Sequence, residues 1–210
     1  TSINGLAATA TTNISATLTG GGSQSATLTV TAAATGVATL TLNPTTVQGG
    51  LANSTATVTL NGLAPTGGAV VTLGDDSTAT TVPASVTVPA NASSTTFTVT
   101  TVKVGAQTVS TISATYNSVQ QTAALTVNPP AISSLVILPA SVTGGSTNAT
   151  GTVTLNTTAP NGGLVVNLAS DSATAASVPA TMTVAQNQST GTFTVTSHAV
   201  ATAVTASISA

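Results

Sequence analysis

A long internal repeat constrains the fold of this chain more than any other feature. Leu40 to Leu60 aligns with Leu135 to Leu155 without a gap. The match runs on through Ala64, Pro65, Gly67, Gly68, Val70, Val71 and Leu73, which meet Ala159, Pro160, Gly162, Gly163, Val165, Val166 and Leu168. One residue is then inserted, after which Val82-Pro83-Ala84 meets Val178-Pro179-Ala180 and Phe97 meets Phe193. The period is about 95 to 98 residues, so one structural unit must be built at least twice along the chain.

The phase of the repeat shapes the expected organisation. Ile112 to Tyr116, followed by Ala124 to Val127, closes the central unit. The same closing pair stands near the start as Ile14 to Leu18 and Ala26 to Val30, whereas the final copy reaches Ile208-Ser209-Ala210. Three segments are expected: 1–36, closing strands of a preceding or partner-completed unit; 37–130, a complete unit; and 131–210, a unit lacking its last strand. The sequence opens on Thr1 and carries no signal peptide, which reads as processing or as a window on a longer array. Asn128-Pro129-Pro130 and Thr31 to Gly36 read as short, stiff linkers.

Within a unit the hydrophobic period is two. Ala56, Val58 and Leu60 alternate with Thr55, Thr57 and Thr59, and Phe97 and Val99 alternate with Thr96, Thr98 and Thr100. Ala123, Leu125 and Val127 do the same. That alternation predicts antiparallel strands with one buried and one solvated face, and no helix. Gly49-Gly50, Asn61-Gly62, Gly67-Gly68, Gly74-Asp75-Asp76 and Pro89-Ala90-Asn91 punctuate the runs as turns. Strands are predicted near 38–43, 54–61, 69–74, 79–88 (broken at Pro83), 94–101, 108–116 and 119–127. Such a count in so short a unit predicts an all-β chain of tandem immunoglobulin-like antiparallel β-sandwiches; the Cys and Trp marks of antibody domains are missing, which leaves a seven-stranded sandwich of another topology open.

The order Val-x-Gly-Gly, Thr-Val-Thr-Leu-Asn, Ala-Pro-x-Gly-Gly-x-Val-Val, Val-Pro-Ala, Phe-Thr-Val-Thr, Ile-Ser-Ala-Thr and Leu-Thr-Val-Asn-Pro resembles the tandem immunoglobulin-like repeats of large bacterial secreted and cell-surface proteins. The resemblance spans essentially the whole chain. It implies an extracellular, load-bearing or adhesive array and carries over no catalytic residue.

Composition narrows the function classes. Lys103, Asp75, Asp76 and Asp171 are the only charged side chains, His198 is the only histidine, and Cys and Trp are absent. Proton transfer and nucleophilic attack need more groups than these, so no enzyme is expected. Phosphate neutralisation needs several Lys or Arg, which excludes nucleic acid as a partner. Zinc and haem lack their usual ligands, and no cofactor is expected. The longest apolar run, Leu135 to Leu138, ends at Pro139, far short of a membrane helix, so no membrane insertion is expected. A net charge of −2 leaves little electrostatic protection against self-association.

Few candidate sites remain. Asp75, Asp76 and Asp171 sit at equivalent turns, where they are weak calcium candidates, and turn capping is the simpler role. Asn13, Asn53, Asn91, Asn148, Asn156 and Asn187 each open an Asn-x-Ser/Thr glycosylation sequon, so glycans are possible attachments. Lys103 and His198 read as solvated loop residues, and Tyr116 as a packed edge residue. Ala26, Leu28 and Val30 are the donor-strand candidates: they carry the alternation of the strand that the last unit lacks. The expected function is a structural subunit of an extracellular filament or cell-surface fibre. Its partner is itself, through head-to-tail strand complementation or tandem continuity. The alternative is an adhesive or carbohydrate-binding surface module.

Overall fold

The computed structural model describes residues 10–30 and 36–210, and among these every regular element is a β-strand. The linker expected over Thr31 to Gly36 lies outside the described residues as far as position 35. The described residues form two compact units. The first holds the described residues up to Thr45 with Ser54–Thr100 and Ser110–Leu125; the second holds Thr46–Asn53, Thr101–Val109 and Thr126–Ala210.

The first elements are β1 (Ala10–Thr17) and β2 (Ser23–Val30), an antiparallel hairpin that forms a two-stranded sheet by itself. Leu18, Gly21 and Gly22 close its turn through backbone hydrogen bonds of 3.0 and 3.3 Å.

Nine strands then build a sandwich: β3 (Val37–Asn43), β4 (Thr46–Gln48), β5 (Ser54–Leu60), β6 (Ala69–Asp75), β7 (Thr80–Thr81), β8 (Ser85–Val88), β9 (Ser94–Thr101), β10 (Thr108–Tyr116) and β11 (Val119–Asn128). One sheet runs β3-β5-β9-β7 and the other β4-β11-β10-β6-β8. The alternation in the sequence becomes two facing inner surfaces. Ala56, Val58, Leu60, Phe97 and Val99 are buried on one, and Val71, Leu73, Ile112, Ala114, Leu125 and Val127 on the other. Every strand predicted from the sequence is present. Two details differ. The 79–88 run splits at Pro83 into β7 and β8, which join opposite sheets, because proline cannot donate to a continuing ladder. After Pro44 the chain also changes sheets, and the short β4 pairs in parallel with β11, Val47 opposite Val127.

The repeat is rebuilt from β12 (Ile132–Leu138), β13 (Ala149–Leu155), β14 (Leu164–Asn167), β15 (Ala169–Ser170), β16 (Ala176–Ser177), β17 (Thr181–Val184), β18 (Thr190–Ser197) and β19 (Ile208–Ser209). One sheet again has four strands, β12-β13-β18-β16. The other is reduced to the pairs β14-β17 and β15-β19. Its core gathers Val153, Leu155, Val166, Leu168, Met182, Val184, Phe193 and Val195. Among the described residues no strand stands where β4 and β11 stand in the first sandwich.

Candidate strand-binding groove

In the first sandwich β11 fills the slot between β4 and β10. Leu125 and Val127 are wholly buried there, and Val47 and Ile112 pack beside them with little or no exposure. Glycine at position 49 makes the fit possible. A Cβ on Gly49 would stand 2.2 Å from the Val102 carbonyl oxygen and 2.9 Å from Val127 Cγ1.

The equivalent slot of the second sandwich is a groove of about 490 Å³. Ile137, Val142, Val195, Val204, Ala206 and Ile208 give it apolar walls. Positions that are sealed in the first sandwich are open here: Leu42, Val47 and Ile112 are buried, whereas Ile137, Val142 and Ile208 are only half-buried. The first slot also holds a polar contact that the second lacks. Thr80 Oγ1 lies 2.6 Å from Ser110 Oγ, both buried, and donates to Asp75 Oδ2 at 3.0 Å. The repeat places Ala176 and Ala206 at those two positions, so the open groove is the more apolar of the pair.

The donor-strand candidates lie on β2. Its residues from Ser23 to Thr29 are exposed and Val30 is half-buried. Leu28 is 49% exposed, and Ile14, across the hairpin, 59%. Ala26 faces Ile14, Leu28 faces Thr12 and Val30 faces Ala10. The hairpin therefore carries an exposed apolar stripe of Ile14, Ala26 and Leu28.

Asp76 and Asp171 act on the backbone. Asp76 Oδ1 accepts the Thr111 N–H at 2.7 Å, and Asp171 Oδ1 accepts the Ser207 N–H at 2.7 Å. These bonds are equivalent in the two sandwiches and hold the strand that borders the slot, whereas Asp75 bonds Thr80 across its own turn. The Thr111 hydrogen bonds hold the Asp76 carboxyl below the usual carboxylate range. No group of three or more His, Cys, Asp or Glu gathers among the described residues.

The sequon asparagines are all exposed, and each has a structural task. Asn53 accepts the Thr101 N–H at 3.3 Å and Asn148 accepts the Ser197 N–H at 3.1 Å, which is the same bond in both repeats. Asn91 and Asn187 hold left-handed turns with φ of 64° and 62°, a conformation asparagine tolerates better than most residues. Asn13 accepts from Thr27 Oγ1 at 2.7 Å, and Asn156 accepts the Ala131 N–H at 3.0 Å.

Two residues expected in solvent are only partly exposed. His198 lines the groove and its Nε2 lies 2.8 Å from Ser177 Oγ. Lys103 is half-buried and donates through Nζ to Thr158 Oγ1, both within the second compact unit. Each meets a partner more than twenty residues away, which the loop reading of the sequence had no means to register. Tyr116 is half-buried at the end of β10, as expected.

No family model and no curated relative matches the chain. Among solved structures it is similar to the D0-D1 domain of Intimin, at 19% identity and a TM-score of 0.38, over 77% of this chain and 85% of that one.

Proposed function

We propose that the chain is a structural subunit of an extracellular filament or cell-surface fibre, in which immunoglobulin-like sandwiches are joined head to tail by strand complementation or tandem continuity. The observation that carries this reading is the groove of the second sandwich, open where β11 fills the first. A strand entering it buries a leucine and a valine, worth roughly 1.5–3 kcal/mol each. It also completes ladder hydrogen bonds of about 0.5–1.5 kcal/mol apiece. Whole domains are stable by only about 5–15 kcal/mol, so such a gain is large enough to drive assembly. The near absence of charge supports the same reading. Sheet edges are often guarded by charged side chains, lysine above all, and one lysine serves this entire chain.

Light scattering and electron microscopy of the purified chain test the proposal. Fibres are expected, with about two sandwiches per repeat, and a peptide matching residues 17–30 is expected to block their growth. Discrete particles that bind carbohydrate would overturn it in favour of an adhesive module.

A further inference from the structure

We infer that the groove is filled by β2 of a second copy of this chain, and that β2 leaves its own partner β1 to enter. This rests on the fibre reading and adds the donor segment, its register and the exchange step.

Two sets of pairings define the register. On one side, β2 in its hairpin sets Ala26, Leu28 and Val30 against Ile14, Thr12 and Ala10. The repeat puts Ile208, Ala206 and Val204 at those same unit positions, and all three line the groove. The acceptor therefore offers β2 neighbours at the same three positions, with isoleucine opposite Ala26 in both. On the other side, Thr46 and Val47 pair with Thr126 and Val127 in the first sandwich. Their equivalents are Ser141 and Val142 in the acceptor and Thr29 and Val30 in the donor. Val30 then occupies the room beside Gly144 that Val127 occupies beside Gly49. At Gly144 the nearest side-chain atom to an added Cβ is Val200 Cγ2, at 3.4 Å.

The exchange follows because the place of β1 is taken. Ser207 is tied to Asp171 by hydrogen bonds of 2.7 and 3.1 Å, and Ile208–Ser209 pair with Ala169–Ser170. One strand cannot pair with β1 and with the acceptor segment on the same edge, so β1 is released. The backbone pairs lost to β1 are remade with the acceptor, while the exposed face of Leu28 becomes covered. The occupant must be uncharged and alternate small with apolar residues, because the groove lining has no Lys or Asp. β2 meets that requirement and repeats the pattern of β11. Donor and acceptor surfaces differ, so the contact propagates from copy to copy.

The chain has no cysteine, so introduced thiols act alone. Thr27→Cys with Ser207→Cys places thiols opposite each other across two copies, and oxidation is expected to give a ladder of covalent oligomers. Thr27→Cys with Asn13→Cys joins residues already paired in the hairpin. Oxidation of that variant is expected to abolish assembly, and reductant to restore it. Fibres that form without the ladder, or from the locked hairpin, overturn the exchange but leave the fibre reading standing. Absence of both fibres and ladder overturns both. The substituted side chains are exposed. As a check free of substitutions, a β2 peptide added to the unaltered chain is expected to protect amides 204–209 from hydrogen exchange, and lack of protection overturns the inference.

Discussion

Asp76 Oδ1 accepts the backbone N–H of Thr111 at 2.7 Å, tying the turn after β6 to the middle of β10. That bond favours the ionised carboxylate and lowers its pKa. A carboxyl depressed on folding stabilises the fold above its unfolded pKa of about 3.9, and the contribution is lost as pH falls through the folded value. The melting temperature of the first sandwich is expected to fall as pH drops below about 4. The fall should be shallower for Asp76→Asn, which keeps an acceptor but does not titrate. Calorimetry across that range checks it; identical pH profiles for the two proteins would contradict it.

Gly49 sets the width of the filled slot. Gly49→Ala would push a methyl against the Val102 carbonyl oxygen and Val127 Cγ1. Overpacking of this kind costs about 1–3 kcal/mol. A lower melting temperature for the first sandwich is the expected result.

Thr80 and Ser110 satisfy each other inside the first sandwich. Thr80→Val strands the Ser110 hydroxyl, at an expected cost of about 1–3 kcal/mol. Adding Ser110→Ala is expected to recover part of that loss, because no buried hydroxyl is then left without a partner. Chemical denaturation of both variants reads the difference, and strict additivity would refute the coupling.

Leu125 and Leu28 occupy equivalent places in two environments, one wholly buried and the other half in solvent. Leu125→Ala is expected to destabilise the first sandwich by about 2–5 kcal/mol. Leu28→Ala is expected to change the stability of the dissociated chain by less than about 0.5 kcal/mol, as exposed sites do. It should nevertheless abolish fibre growth. Scattering and denaturation on the same samples separate the two effects.

The strands were legible in the sequence because a period of two with Thr outside and Val inside admits little else. The closing pair at Ile14 and Ala26 was legible because the repeat supplies its own comparison. β4 was not, since Thr46–Gln48 is too short to show a period, and its pairing with β11 depends on residues about eighty positions away. The bond from Thr111 to Asp76 was missed for the same reason. A turn aspartate looks local in sequence, and only the fold brings a strand 35 residues on to meet it. The Thr80–Ser110 contact left a faint trace: the repeat changes both positions to alanine together, as a coupled pair would.

The clasp between Asp171 and Ser207 is made within the chain itself, without any added strand. One rim of the cleft is thus rigid in advance, and little freedom remains to be lost there on capture. On the proposed strand exchange, a receptor fixed at Ser207 and without regular strand over 199–206 would seize its ligand near Ile208 first, then close toward Val204 in the manner of a zip.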